Sequence, residues 1–181
     1  MTMRKAIEVV AQLAARGVIK NYAITGAVAA LAYIEPISTQ DLDILVSVGD
    51  FSGTQSGLLL LSPIESALAE LGYNERRDVG VVVEGWPVQF IPAASELDEE
   101  SLRDAALTQI GPTTARVLKP EHIVAKAISV GRLKDLARVE TFLNTNAVDL
   151  PALKAVIVRH GLKDAWRAFC LKSGRTDALA L

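Results

Sequence analysis

The spacing of apolar and polar residues predicts alternating helices and strands in the first half of the chain. Apolar residues recur at helical intervals over residues 3–16, and the short strand "NYAIT" follows at 21–25. Residues 27–33 are rich in alanine and contain no helix breaker, which favours a second helix, and "DLDILVSV" at 41–48 is typical of a strand. The stretch "LSPIESALAELGY" then predicts a helix capped by Ser62, and "DVGVVVEGWPVQFIPA" predicts a hairpin.

The pattern changes after the predicted hairpin. "SELDEESLRDAALTQI" predicts an acidic surface helix or an ordered loop, and four helical segments follow it, at 120–130, 132–144, 149–160 and 162–172. We therefore predict an α/β (α+β) fold in which residues 1–95 form a small mixed sheet with flanking helices. Residues 96–181 are expected to form a helical C-terminal region that packs on this core.

Composition and charge narrow the classes of partner. Half of the 181 residues are hydrophobic, which argues against a disordered chain, and the formal charge of −2 supplies no general attraction to nucleic acid or to an anionic membrane. No apolar run approaches the roughly 20 residues that a membrane span requires. The single cysteine, Cys170, lies among apolar neighbours and suits a buried thiol in a reducing compartment. These features predict a cytoplasmic protein without a membrane partner.

The polar residues with the clearest chemical meaning are Asp41 and Asp43, which flank Leu42 in an apolar strand. Side chains alternate between the two faces of a strand, so both carboxylates point the same way, with their backbones roughly 6.5–7 Å apart. At this spacing they can converge on one divalent cation, and Mg²⁺ commonly takes one or two carboxylates together with phosphate oxygens. The alternative is a strand whose polar face simply meets water.

Gly26 lies between a predicted strand and a predicted helix. The first amide groups of a helix have no internal partner and can bind phosphate, and a glycine there lets the phosphate approach the main chain. Alone, such a glycine indicates no more than a tight turn. Together with the aspartate pair that follows, it favours a site for a metal-bound nucleotide.

This arrangement of strand, Gly26, helix and Asp-Leu-Asp strand resembles the nucleotidyltransferase superfamily, the fold of polymerase-beta-like enzymes. "STQDLDILV" is similar to minimal nucleotidyltransferases and to abortive-infection nucleotidyltransferase toxins, and "LKPEHIVAKAISVGRLKDLARVETFL" is similar to their helical region. The resemblance covers most of residues 20–145. It implies a mixed sheet of nucleotidyltransferase type and the transfer of a nucleotidyl group from an NTP to an acceptor hydroxyl, with Mg²⁺ or Mn²⁺ as the cofactor.

The resemblance also assigns roles to individual residues. Asp41 and Asp43 match the catalytic metal ligands, and Gly26 matches the turn that binds phosphate. The next residue of that turn is Ala27, where the family often has a serine, so the hydroxyl that would bond to the triphosphate is missing. Thr25, on the other side of Gly26, is the candidate to supply a hydroxyl in its place.

A second departure concerns the third carboxylate, which the family places on a neighbouring strand. The matching position here is Gln89, in "WPVQFIPA". An amide can offer an oxygen to a metal, but it carries no charge and cannot act as a base at neutral pH. Glu84 lies five residues earlier, on the opposite face under strict alternation. We therefore predict that two-metal catalysis is impaired or lost, while binding of one Mg²⁺–NTP can survive.

Basic residues of the C-terminal helices are further candidates for nucleotide binding. Lys126 stands in an apolar context, and Lys134 shares a helix face with Arg138. These residues can neutralise a triphosphate or guide an RNA acceptor. The alternative is a solvated helix surface in which Arg138 pairs with Asp135 or Glu140.

Three hypotheses follow from the sequence. The first is an enzyme that transfers a nucleotidyl group from an NTP to an RNA, a protein or a small molecule. The second is a binding module that holds a nucleotide without turnover, as one half of a toxin–antitoxin or defence pair, with a partner protein or a second copy of itself. The third is an α/β domain whose aspartates have no ligand.

Overall fold

The fold is described from a computed structural model, in which residues 3–35, 39–47, 61–78 and 80–175 are described. The end of the predicted strand at Val48 and the hairpin residue Val79 lie outside these ranges. No helix in the described ranges is long and apolar enough to cross a membrane.

Helices and strands are mixed along the described chain as far as residue 117, and the elements after it are helices. The elements are α1 (Met3–Ala15), β1 (Tyr22–Thr25), α2 (Gly26–Ala30), β2 (Leu42–Val46), α3 (Ser62–Glu70), β3 (Arg76–Arg77), β4 (Gly80–Val83), β5 (Trp86–Pro92), α4 (Glu96–Asp104), β6 (Ala106–Ile110), β7 (Thr113–Val117), α5 (Pro120–Val130), α6 (Leu133–Asn144), α7 (Leu150–Arg159) and α8 (Lys163–Ser173). Contacts divide the chain into two units, Met1–Ala32 with Ile37–Leu118 and Tyr33–Pro36 with Lys119–Leu181.

The described strands of the first unit form one mixed sheet in the order β3-β4-β5-β2-β1-β7-β6. Strand β2 lies at its centre, antiparallel to β1 and parallel to β5. Strand β1 is parallel to β7, and the β3–β4, β4–β5 and β6–β7 pairs are antiparallel. A central strand is flanked by neighbours on both sides, which explains why β2 is apolar at every position except Asp43. Helix α1 contacts β5, and α4 contacts β2.

The acidic stretch after β5 forms a helix and then a hairpin. Ser95 caps α4, because its hydroxyl accepts a hydrogen bond from the Asp98 amide, and the Asp98 carboxylate accepts one from the Ala94 amide. "ALTQI" is strand β6, which turns at Gly111 and pairs with β7 along its whole length. The prediction of a helix or loop for this stretch is wrong for β6, and β7 was not predicted from the sequence.

The described part of the second unit contains four helices. Helix α5 contacts α6, α7 and α8, and α7 contacts α8. Trp166 and Phe142 are fully buried, and Trp166 packs against Phe169 with ring centroids 5.8 Å apart. Cys170 is buried beside them in α8 and is a structural thiol, as its apolar neighbours predicted. Burial of large side chains in this unit supplies the free energy that short isolated helices lack.

The predicted fold class, a mixed α/β sheet followed by a helical C-terminal region, is confirmed. The four C-terminal helices begin and end within one residue of their predicted bounds. The N-cap position of helix α3 is Leu61, which makes no side-chain capping bond, and Ser62 is already inside the helix. The predicted serine cap is therefore wrong by one position. Helix α2 ends at Ala30, three residues before its predicted end. A domain boundary after residue 95 is predicted from the sequence, and α4, β6 and β7 lie in the first of the two units.

Candidate active site

Strand β2 carries Asp43 into the middle of the sheet. Leu42 and Ile44 are fully buried, and Asp43 between them is half-buried on the other face of the strand. Asp43 pairs with Thr25 on β1 and with Gln89 on β5. Its neighbours in the sheet are therefore the residue before Gly26 on one side and the predicted third position on the other.

Asp41 directly precedes β2 and is exposed. The hydroxyl of Thr39 donates a hydrogen bond to its Oδ1 at 3.0 Å and another to its backbone oxygen at 3.2 Å. These bonds orient the Asp41 carboxylate. Leu42 separates the two aspartates, and Asp41 lies just before the strand, so the common direction of the two carboxylates stays a prediction from their spacing.

Gly26 packs directly against the Asp43 side chain. A Cβ atom added to Gly26 would overlap the Asp43 carboxylate, and would lie only 3.2 Å from its Cγ and 3.3 Å from its Cβ. The φ angle of Gly26 is also +66°, in the left-handed region that side chains other than glycine adopt at a cost. The site therefore requires glycine at this position for two independent reasons.

The residues around Gly26 differ in exposure. Thr25 is 5% exposed and makes no side-chain capping bond to α2, whereas Ala27 is half-buried. A methyl group at Ala27 donates no hydrogen bond, so the main chain of this turn is the only donor that residues 26 and 27 offer. The assignment of Thr25 and Ala27 to nucleotide binding stays a prediction.

Gln89 lies beside Asp43 in the parallel β2–β5 pairing. This register is where the resemblance puts the third carboxylate, so the structure has a neutral amide next to the central aspartate. Glu84 does not supply the missing carboxylate, because its side chain contacts Tyr73 and Lys5. It accepts a hydrogen bond from the Tyr73 hydroxyl at 2.8 Å, and its other oxygen lies 3.9 Å from Nζ of Lys5.

A pocket of about 150 Å³ opens beside these residues. It is lined by Gln40, Asp41, Arg77, Asp78, Gly80, Pro87 and Gln89. Asp41 and Gln89 were predicted as site residues from the sequence, whereas Arg77 and Asp78 were not. These two reach the pocket because β3 and β4 pair beside β5, and no spacing in the sequence indicates that pairing.

The two candidate lysines lie in the second unit. Lys126 is half-buried on α5, and Lys134 is exposed on α6. Beside Lys134, the buried Asp135 accepts a hydrogen bond from Arg132 at 2.6 Å and one from Arg138 at 3.4 Å. Arg138 therefore pairs with Asp135 within its own helix, as the surface alternative predicted, but the pair is largely buried and not solvated. Nucleotide binding by Lys126 and Lys134 stays a prediction from the sequence.

Comparisons with known structures agree on the fold. A crystal structure of ANT(2″)-Ia in complex with adenylyl-2″-tobramycin has a TM-score of 0.54 at 13% identity, over 88% of this chain and 97% of that one. An antigenic nucleotidyltransferase-like protein from Paracoccidioides brasiliensis has a TM-score of 0.61 at 14% identity, over 97% of this chain and 91% of that one. No family model matches the sequence, and no curated protein matches it significantly.

At these identities the likeness establishes the fold alone. The chain has the fold of the nucleotidyltransferases, which confirms the resemblance that the glycine turn and the Asp-Leu-Asp strand indicated. The two structures match nearly the whole of this chain, including its helical C-terminal region.

The hydrogen bond between Tyr73 and Glu84 gives a prediction about pH. This bond, followed by partial burial and the nearby charge, raises the pKa of Tyr73 above its usual 10.0. A raised pKa in the folded state stabilises the protein below pH 10 and loses that effect as pH rises through the folded pKa. Tyr73→Phe should therefore lower the free energy of unfolding by about 1 kcal/mol at pH 7 and by progressively less above pH 10.

Urea unfolding of both proteins at pH 7, 9 and 10.5 measures this difference. Burial also raises the pKa of Tyr22, but Tyr22 is present in both proteins and its contribution cancels. A difference that stays constant over the whole range would show that the hydroxyl of Tyr73 has no preferential bond to Glu84.

Proposed function

We propose that this protein binds an NTP together with Mg²⁺ or Mn²⁺ and transfers the nucleotidyl group to the hydroxyl of an acceptor. The observation that carries the proposal is the packing of the Asp43 side chain against Gly26. A carboxylate oxygen thus lies next to main chain that a phosphate can approach closely, which supports a cation site there. A metal-bound triphosphate needs both groups at one place.

The donor set fits such a cation. Asp41 and Asp43 offer charged oxygens and Gln89 offers an amide oxygen, and all three are the hard donors that Mg²⁺ selects. In this proposal the two aspartates hold the ion, Thr39 keeps Asp41 in place, and the main chain at Gly26 receives the phosphates. When bound, the ion neutralises charge on the triphosphate and favours loss of pyrophosphate.

A small hydroxylated molecule is the first class of acceptor to test. ANT(2″)-Ia, which shares the fold, was crystallised with adenylyl-2″-tobramycin, an adenylylated small molecule. A pocket of about 150 Å³ beside Asp41 and Gln89 suits a small group better than a folded macromolecule. RNA and protein acceptors rank behind it.

Gln89 favours a second candidate function. With an amide beside Asp43, the protein would bind the nucleotide and turn it over slowly or not at all. It would then act as a nucleotide-responsive module in a cytoplasmic toxin–antitoxin or defence pair, with a partner protein or a second copy of itself. The two functions share the nucleotide site and differ in whether pyrophosphate is released.

Thermal unfolding with each NTP, with and without Mg²⁺, tests the shared part of the proposal. A nucleotide at 100 times its dissociation constant stabilises the folded state by about 2.7 kcal/mol, which corresponds to about 5–10 °C for a chain of this size. We expect such a shift with at least one NTP, and only when Mg²⁺ or Mn²⁺ is present.

The controls separate nucleotide binding from other effects. Mg²⁺ alone and NTP with EDTA should each leave the midpoint unchanged to within about 1 °C. Release of pyrophosphate in the stabilised sample supports the enzyme, and its absence supports the binding module. If no NTP shifts the midpoint under any condition, the proposed function is wrong.

A further inference from the structure

The pocket and the glycine turn lie on opposite sides of Asp43 along the sheet. Strand β1, which leads into Gly26, flanks β2 on one side, and β5, which carries Gln89, flanks it on the other. The pocket extends on the β5 side as far as the β3–β4 hairpin. The hairpin end of the pocket, where Arg77 and Asp78 lie, is therefore the end farthest from the glycine turn.

Asp78 enters this pocket from the hairpin. It directly follows β3 and has a φ angle of +53°, so the chain reverses sharply at this residue. Among the described residues, none forms a hydrogen bond or an ion pair with its carboxylate. Arg77 lines the same pocket, and its guanidinium lies 3.4 Å from the Glu75 carboxylate.

Gly80 allows the β3–β4 hairpin to lie close to β5. A Cβ atom at Gly80 would lie 2.9 Å from the carbonyl oxygen of Val88 and 3.1 Å from its carbonyl carbon. Val88 is the residue before Gln89, so any side chain at position 80 would push β4 away from the strand that carries the amide. The close approach keeps Asp78 at the pocket that Gln89 lines.

We propose that Asp78 supplies the carboxylate that position 89 lacks and acts as the general base for the acceptor. This inference rests on the proposed function. The acceptor hydroxyl gives its proton to a carboxylate oxygen of Asp78, and its oxygen forms a bond to the α-phosphorus of the NTP. The bond from that phosphorus to the bridging oxygen breaks, and pyrophosphate leaves with the electron pair.

Release of pyrophosphate from ATP and Mg²⁺, with water as the acceptor, tests the assignment. Asp78→Asn should slow the release about 100-fold or more, because general base catalysis contributes about 10²–10⁴-fold. Its thermal shift with ATP and Mg²⁺ should equal that of the native protein, since Asp78 lies at the hairpin end of the pocket, away from the turn proposed to receive the phosphates. Asp164→Asn, an exposed aspartate on α8, is the matched control and should change neither quantity.

A rescue experiment distinguishes a catalytic role from a structural one. Gln89→Asp restores a carboxylate beside Asp43, so the double variant with Asp78→Asn should recover to within about tenfold of the native rate. Asp78→Glu, which keeps the charge, should retain more activity than Asp78→Asn.

The outcomes separate this inference from the proposed function. An unchanged rate in Asp78→Asn, or a slow rate that Gln89→Asp does not restore, overturns the role of Asp78. A native protein that binds ATP and releases no pyrophosphate overturns it too, and leaves nucleotide binding intact. If ATP and the other NTPs give no thermal shift, the proposed function fails, and this inference fails with it.

Discussion

Gly26→Ala should lower the free energy of unfolding by about 3 kcal/mol, and Gly17→Ala by only about 1 kcal/mol. Both glycines lie in the first unit and have left-handed φ angles, +66° and +75°. A methyl group at Gly17 meets no atom within 4 Å, whereas at Gly26 it overlaps the Asp43 carboxylate. The difference between the two variants therefore measures the cost of that overlap, without the backbone term that they share.

A double-mutant cycle identifies the partner in this overlap. If the Asp43 carboxylate is the obstacle, Gly26→Ala should cost only about 1 kcal/mol in an Asp43→Ala background, where the side chain ends at Cβ. Urea denaturation at pH 7 followed by circular dichroism gives all four free energies. Equal losses for Gly26→Ala and Gly17→Ala in the native background would contradict the close packing of the turn on Asp43.

The elements with a clear periodic pattern could be predicted from the sequence. The C-terminal helices have apolar faces and glycine or asparagine breaks, and their bounds followed from those signals. The apolar residues around Asp43 predicted its strand, and Asp43 is half-buried between the fully buried Leu42 and Ile44. Leu45 is buried on the same face as Asp43, because β2 is a central strand. Gln89 was placed beside Asp43 by resemblance, and the register agrees.

The features that could not be predicted from the sequence depend on contacts between segments that are distant along the chain. Half of the residues in β6 and β7 are polar and both strands follow an acidic helix, so local pattern favoured helix or loop over a hairpin. Asp78 comes to the pocket only because β3 and β4 add to the β5 edge of the sheet. A glycine such as Gly80 indicates a close approach of backbone, but not which strand approaches it.

Asp43→Asn should abolish the thermal shift that an NTP produces with Mg²⁺. Asparagine has nearly the shape of aspartate, so the strand pairing remains and the packing against Gly26 changes little, while the negative charge is lost and one acceptor oxygen becomes an NH₂ donor. In the proposed site, the cation would then keep one carboxylate, Asp41, with amide oxygens from positions 43 and 89. A shift of about 5–10 °C in the native protein should fall to about 1 °C or less at the same concentrations.

Asp41→Asn is the informative comparison for this variant. Asp41 is exposed and lies outside β2, whereas Asp43 is half-buried between Thr25 and Gln89. Charge counts for more where water is partly excluded, so the loss at position 41 should be smaller than the loss at position 43. Without ligand, both variants should unfold within about 2 °C of the native protein, because each change also removes a repulsion between carboxylates. A full shift in Asp43→Asn would mean that the nucleotide is held without this carboxylate, and the metal would then have to be sought elsewhere in the chain.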